Sequence, residues 1–243
     1  MDFSNYAISD GSRIHKAQKI ISCIEFVLRQ KFQDAKVLEI GAGSGIISYY
    51  IAKAGNYVVS IDLDISLYNS TSFSEKIINY MLANGISLPF KDGTFDIIIC
   101  NQVIEHIPRN KQSDLIHEIY RVLNTNGLLY LATPNKLWPV EPHTKLPFIT
   151  YLPKRIADAY VNITRGIDNF NVYLLTYFQL RQILSVRFDQ ITDLTPLVIK
   201  NPELFSIKNE ISKKIQYILI PLPLTLLQKI SLFYPSWILV GKK

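Results

Sequence analysis

Val37-Leu-Glu-Ile-Gly-Ala-Gly-Ser-Gly45 is the stretch that decides the fold. A short apolar run enters a turn made by Gly41, Gly43 and Gly45, and Ile46 to Lys53 then reads as a helix. Strand, glycine turn and helix form the opening unit of a parallel α/β sheet. Glycine lets a ligand approach the backbone because no Cβ stands in the way. The helix that follows points its free N–H groups back at the same place. Seventeen residues after Gly45, Asp62 closes a second apolar run, Tyr57 to Ile61. At that end of a parallel strand a carboxylate faces the crevice, where it can accept both hydroxyls of a ribose.

The spacing narrows the ligand. A pyrophosphate fingerprint reads G-x-G-x-x-G, with its last glycine letting the helix pack under the phosphates. Here the pattern is G-x-G-x-G, and Ile46 fills the last slot. Glu39, just before the loop, would repel two phosphates and suits a ligand carrying an ammonium group. A nicotinamide dehydrogenase is therefore disfavoured.

Outward from the loop, apolar runs keep alternating with helix-period segments. Ile14, Ala17, Ile20, Ile21, Ile24, Val27 and Leu28 recur at helical spacing, so residues 14–30 form an amphipathic helix. Ile77 to Leu82 is a third strand, and Phe95 to Cys100 a fourth, apolar enough to be buried on both faces. Leu115, Ile116, Ile119, Tyr120, Val122 and Leu123 mark a helix. Asn124-Thr-Asn-Gly127 reads as a turn with glycine in the helix-ending position, before a fifth strand from Leu128 to Thr133. Pro134, Pro139, Pro142, Pro147 and Pro153 mark a long structured loop. Thr176 and Gln179 make a capping box for a helix from Tyr177 to about Val186. Ile191 to Leu194 and Trp237 to Val240 complete the strands. The expected fold is a doubly wound, Rossmann-like α/β sheet formed by residues 1–243 as one domain. Residues 14–135 are the cofactor-binding core, and 136–243 are an acceptor-side lid with the final strands.

With 243 residues, 48% of them apolar and 19% charged, the chain can bury a full core without disulfide or metal staples. Cys23 and Cys100 are too few for a disulfide framework and read as core filler. The polar stretch from Met1 to Arg13 has no apolar signal region, so the cytoplasm is the expected location. The net charge of +6 is unevenly placed. Residues 1–150 carry 14 Lys/Arg and 14 Asp/Glu, whereas residues 151–243 carry 12 and 6. Interleaved with Ile, Leu, Phe and Tyr, that basic excess suits a solvated face or peripheral contact with an anionic membrane. No dense Lys/Arg stripe points to nucleic acid. The apolar stretch 215–241 is no membrane span, because Pro221 and Pro223 interrupt it and its charge-free part is too short.

At the glycine loop and the motifs after it, the chain resembles the class I S-adenosylmethionine-dependent methyltransferases, specifically the type 11 methyltransferase domain. The resemblance covers residues 35–135 and rests on linked motifs. These are VLEIGAGSG at 37–45, SIDLD at 60–64, LPFKDGTFDIIICN at 88–101, VIEHI at 103–107 and EIYRVLNTNGLLYLATPN at 118–135. It implies a seven-stranded sheet, mostly parallel, with an antiparallel last strand supplied by Trp237 to Val240. It also implies that Glu39, Gly41, Ala42, Gly43 and Gly45 hold the methionine part of S-adenosyl-L-methionine. Asp62 would bind the ribose and Leu63 pack on the adenine. Asn84 stands where the family often has an aspartate that reads the adenine amino group, and Gly85 would add a backbone N–H. Asn101 and Gln102 would lie where sulfonium and acceptor meet.

Methyl transfer from a sulfonium is an in-line displacement in which the protein aligns the acceptor and excludes water. A base is needed only where the nucleophile is protonated at neutral pH, as a hydroxyl is, and histidine is the natural one. His106, after Glu105 at the end of the fourth strand, and His143, in Glu141-Pro-His143, are the catalytic candidates together with Glu105. The bland alternative is that they only shape their loops. His15 and His117 read as surface residues on helices. Small-RNA terminal and some quinone methyltransferases carry a Glu-x-x-Glu-His metal cluster here. This chain has Gln102-Val-Ile-Glu105-His106, which lacks the first carboxylate, so no metal is expected. Residues 133–153 resemble the tails of methyltransferases with saccharide- or lipid-linked acceptors, and Trp138, Phe148 and Tyr151 could stack on a sugar. The expected activity is methyl transfer to an oxygen of a small-molecule, saccharide or lipid-linked acceptor. The alternative is a non-catalytic S-adenosylmethionine-binding subunit that acts as an interaction module.

Overall fold

The computed structural model describes residues 10–69, 78–206 and 219–243. Its elements are α1 (Asp10–Leu28), β1 (Lys36–Ile40), α2 (Ile46–Lys53), β2 (Tyr57–Asp62), α3 (Ser66–Asn69), β3 (Ile78–Leu82), β4 (Phe95–Asn101), α4 (Gln112–Val122), β5 (Leu123–Pro134), α5 (Lys154–Arg165), α6 (Tyr177–Ser185), β6 (Gln190–Asp193), α7 (Thr195–Lys200), α8 (Leu224–Ile230) and β7 (Ser236–Lys242). The seven strands form one sheet in the order β3-β2-β1-β4-β5-β7-β6. Strands β1 to β5 pair in parallel, and β7 runs antiparallel to both neighbours, β5 and β6. This is the architecture expected from the sequence. The order reverses between β1 and β4, so the carboxyl ends of these strands open the crevice in which such sheets bind ligands.

Strand alternation distributes the core to both faces of the sheet. Leu38, Ile98, Cys100, Leu129 and Leu131 pack with Leu115, Ile116 and Ile119 of α4 and with Leu180 and Leu184 of α6. Val37, Ile97, Ile99, Leu128 and Tyr130 pack with Ala17, Ile20, Cys23 and Ile24 of α1 and with Ile47 and Ile51 of α2. Both cysteines are buried free thiols, and burial pushes the Cys23 thiol up to about 12. They serve as apolar filler. Trp237, fully buried on β7, donates its indole N–H to Ser231 O at 2.9 Å. Trp237→Ala is expected to destabilise the protein by about 3–5 kcal/mol, a loss that denaturant titration would read.

Three local readings change. The chain between α4 and β5 is no separate turn. Leu123 is already extended, β5 runs unbroken to Pro134, and the pairing with β4 jumps from Phe95↔Leu123 to Ile97↔Leu128. The left-handed residue is Asn126 (φ 68°), not Gly127. Gly127 is needed for a close approach instead, since a Cβ there would stand 2.9 Å from Asp96 O and 2.8 Å from Leu123 Cγ. Next, the proline-rich stretch leads into α5, an element the apolar spacing does not announce. It starts after Pro153 and ends at Gly166 in the left-handed conformation (φ 66°). Leu146, Ile149, Ala157, Val161 and Phe170 give this segment a small core of its own. Finally, the helix over residues 14–30 begins earlier, at Asp10, and ends at Leu28. The capping box of α6 is formed as expected from Thr176 and Gln179. Ile77 and residues 215–218 of the apolar stretch lie outside the described residues. The rest of that stretch includes α8 and β7, and among the described residues no helix is long and apolar enough to cross a membrane.

Candidate active site

The glycine loop leaves β1 at Ile40. Its first two amides, Gly41 N and Ala42 N, donate to Ile61 O at 2.9 and 3.1 Å, which tie the loop to the end of β2. Gly41 has φ 72° and lies against Val103, so any side chain there would strike Val103 Cγ2. Gly45 (φ 74°) caps α2, and a Cβ on it would reach within 3.0 Å of Tyr68. Tyr68 stacks on Tyr80 with ring centroids 4.2 Å apart. The Tyr80 hydroxyl donates to Gly43 O at 2.7 Å. A pair of stacked rings therefore braces the loop.

Asp62 sits at the rim, half-buried. Its Oδ2 accepts from Gly43 N at 2.8 Å and its Oδ1 from Asp64 N at 3.1 Å. The carboxylate is thus fixed beside the loop. Leu63, the next residue, is 66% exposed, as a residue waiting to cover a flat ring would be. Glu39 lies deeper, fully buried beneath the loop, where it accepts from the Ser48 hydroxyl. Burial pushes its carboxyl up to about 8, against the opposing pull of Ser48 and the Arg13 charge.

Asn84 is exposed and its Oδ1 accepts from Ile86 N at 3.1 Å, so its amide also closes its own turn. Gly85 is buried beneath it, 3.0 Å from Ile40 and Leu115 by the measure of an added Cβ. Asn101 ends β4. Gln102 follows in a left-handed conformation (φ 61°) with its N–H held by Ala132 O at 2.8 Å. Glycine loop, Asp62, Asn101 and Gln102 are thereby gathered at the carboxyl ends of adjacent strands.

On the other side of Gln102 two loops meet. After β4, Ile104–His106 forms a single 3-10 turn. The buried Gln112 amide donates to Ile104 O at 3.0 Å, Ile107 O at 3.2 Å and Tyr173 O at 2.9 Å, pinning that turn from both ends. Glu105 is wholly buried, with Oε2 accepting from Thr133 Oγ1 at 3.0 Å. From the loop after β5, His143 brings its ring edge-on to that of His106, centroids 4.8 Å apart. His143 Nε2 lies 3.8 Å from Glu105 Oε1 and 3.9 Å from Glu141 Oε1. The crowded surroundings push the His106 imidazole below its ordinary value. Burial is the main cause, Glu105 opposes it, and His143 adds to it. A neutral imidazole at His106, beside the buried Glu105 side chain, can position a hydroxyl and help remove its proton.

His15 bonds to Gln18 on the exposed side of α1 and His117 is exposed on α4, apart from this cluster. Two residues of the site are absent from the sequence reading. Arg13, on α1, donates to Ser44 Oγ at 2.5 Å and so lies across the glycine loop. Nothing in its local sequence marks it. Glu141 is buried and its carboxylate accepts His143 N at 3.0 Å, Thr144 N at 2.6 Å and Thr144 Oγ1 at 2.8 Å. Its signal was its place two residues before a candidate histidine.

Residues 38–131 match the family model of the methyltransferase domain, a span that runs from β1 into β5 and includes the glycine loop, Asp62, Glu105 and His106. Over that span the chain is similar to the methyltransferase domain of S-adenosylmethionine-dependent enzymes. Among its relatives, an uncharacterized protein of Methanocaldococcus jannaschii is 34% identical over 153 residues, 61% of this chain and 64% of that one. A ubiquinone biosynthesis O-methyltransferase of Hydrogenovibrio crunogenus is 27% identical over 119 residues, 46% of this chain and 48% of that one. The match thus spans less than two thirds of the length of these relatives. The solved structure of an S-adenosylmethionine-dependent methyltransferase from Mesorhizobium loti superposes with a TM-score of 0.56 at 12% identity, over 87% of this chain and 92% of that one. At that identity the likeness concerns the fold. The matched residues hold most of β1 to β5, whereas the loop with His143, α5, β6 and β7 lie after them.

Proposed function

We propose that this protein transfers a methyl group from S-adenosyl-L-methionine to an oxygen of a small-molecule, saccharide or lipid-linked acceptor. The observation that carries the reading is the meeting of His106 and His143, rings 4.8 Å apart, over the buried Glu105, on loops that follow β4 and β5. A thiolate or an already neutral amine needs no such group, whereas a hydroxyl must lose its proton as the bond forms. The name of the Hydrogenovibrio relative, an O-methyltransferase, points the same way.

In this reading residues 1–243 act as one unit, with the core before Asn135 holding the cofactor. Asp62 takes the ribose hydroxyls, Leu63 and the Asn84–Gly85 turn border the adenine, and Gly41, Ala42, Gly43 and Gly45 accommodate the methionine portion. Arg13 is set to pair with its carboxylate and Glu39 to balance its ammonium. Asn101 and Gln102 flank the sulfonium. The acceptor enters under the lid, whose outer face exposes Phe148 and Tyr151 with ring centroids 6.3 Å apart. That pair and the Tyr151 hydroxyl on Leu137 O, 2.6 Å, suit a sugar or an acyl chain at the entrance.

Two measurements test the cofactor half. Calorimetry with S-adenosylhomocysteine is expected to show one site per chain, and no binding would reject the reading. The buried carboxyl of Glu39 gives a second check. Its folded value near 8 lies above its ordinary 4.5, so the stability it contributes is full below pH 4.5 and is lost as pH rises through about 8. An arriving ammonium favours the ionised form. Binding at pH 7 is therefore expected to release a proton, read as a dependence of the binding heat on buffer ionisation enthalpy. Glu39→Gln is expected to remove both that proton release and the decline in stability between pH 4.5 and about 8.

A further inference from the structure

The proton-handling cluster has one feature that its hydrogen bonds do not explain. Glu105 is fully buried, yet its Oε1 accepts no hydrogen bond. A buried polar oxygen without a partner is costly. His143 Nε2 is 3.8 Å away, beyond hydrogen-bonding distance. One donor atom each of Glu105, His106 and His143 falls within a sphere where all lie within 4.8 Å of one another.

We propose that Glu105, His106 and His143 form a binding site for one divalent cation of the borderline class, such as Zn²⁺ or Fe²⁺. Two imidazoles and one carboxylate favour such ions over Mg²⁺, which prefers oxygen donors throughout. Donors around one ion at about 2.1 Å stand roughly 3 to 3.5 Å apart, so small side-chain rotations close the set. The supports are already in place. Gln112 fixes the Glu105–His106 turn, and the Glu141 carboxylate holds the backbone of the His143 loop. Glu141 Oε1 lies 3.9 Å from the His143 ring, where it can orient the ligand from outside. The sequence discourages a metal because Gln102 replaces a carboxylate. The fold supplies His143 instead, from a different loop.

The nearby basic groups weigh on the other side. Lys16 interacts with Glu105, but its own charge is disfavoured by burial and by Lys19 and Arg13, so it does not neutralise the carboxylate outright. Three protein donors leave positions open toward the cleft. The inference rests on the cleft being the acceptor side. With a cation bound, His106 and His143 would serve as its ligands and no longer as bases, and an acceptor hydroxyl in an open position would lose its proton to water more readily. Its oxygen then forms the bond to the methyl carbon as the carbon–sulfur bond breaks, and the bonding pair stays on sulfur.

The test uses the tag-free full chain. Equilibrium dialysis against Zn²⁺ should show one equivalent bound, and Co²⁺ titration should give visible absorption of a site with fewer than six ligands. Glu105→Gln and His143→Ala should each weaken uptake by at least about tenfold. His117→Ala, on the exposed face of α4, should leave it unchanged. Because His143 is only half-buried, its variant keeps the test valid if Glu105→Gln fails to fold. No stoichiometric uptake, or uptake indifferent to His143→Ala, overturns the site. S-adenosylhomocysteine calorimetry on the same samples separates the two ideas. Cofactor binding without metal uptake rejects only the cation site, and metal uptake without cofactor binding rejects the proposed function.

Discussion

His143→Ala is expected to lower methyl transfer by about 10²–10⁴-fold while S-adenosylhomocysteine affinity changes less than about threefold. The asymmetry follows from position. His143 belongs to the loop after β5 and faces His106 and Glu105, whereas the glycine loop is anchored to β2 through Ile61 O. Removing the imidazole takes away a group that acts on the acceptor hydroxyl and leaves the cofactor half untouched. Steady-state transfer of labelled methyl, with calorimetry alongside, reads both quantities. Equal losses in both would mean that His143 only shapes the cleft.

Asp62→Ala is expected to produce the opposite pattern, a loss of S-adenosylhomocysteine affinity of about 10²-fold. Two hydrogen bonds from ribose hydroxyls to a charged acceptor contribute about 1.5–3 kcal/mol each, discounted for competing water. The variant also removes the acceptor of the Gly43 N–H, so the loop itself loosens. Asp62→Asn separates these effects, because its amide oxygen can still accept from Gly43. Unchanged binding in Asp62→Ala would place the nucleoside elsewhere.

Much of the cofactor half was legible because its determinants are local. Val37–Ile40, the three glycines and Asp62 each signal through a few adjacent residues, and the structure places them side by side. The same holds for the Thr176 capping box. The acceptor half was legible only in pieces. His106 and His143 could each be nominated, but their meeting depends on β4 and β5 being neighbours and on the path of the lid. Glu105 could be nominated, but its unpartnered oxygen could not. Arg13 was invisible for the same reason, since helix packing alone brings it to Ser44. Helix α5 escaped because its apolar face is narrow, with only Ala157 and Val161 buried, although Pro153 before it and Gly166 after it marked its ends. The Asn124–Gly127 turn was misread because its glycine serves close packing against β4 and not a left-handed cap.

The basic second part of the chain also gains a more definite place. Among the described residues, Lys154, Arg155 and Arg165 lie on α5 and Lys242 ends β7. Lys154 pairs with Asp158 on α5 at 2.6 Å, so part of the excess is neutralised within that helix.

The most direct test of the central claim is transfer of labelled methyl from S-adenosyl-L-methionine into an extract separated into lipid, saccharide, small-molecule, protein and RNA pools. The account predicts label in the lipid, saccharide or small-molecule pool, lost with both Asp62→Ala and His143→Ala. Cofactor binding with no label in any pool would contradict it and make the chain a non-catalytic cofactor-binding subunit.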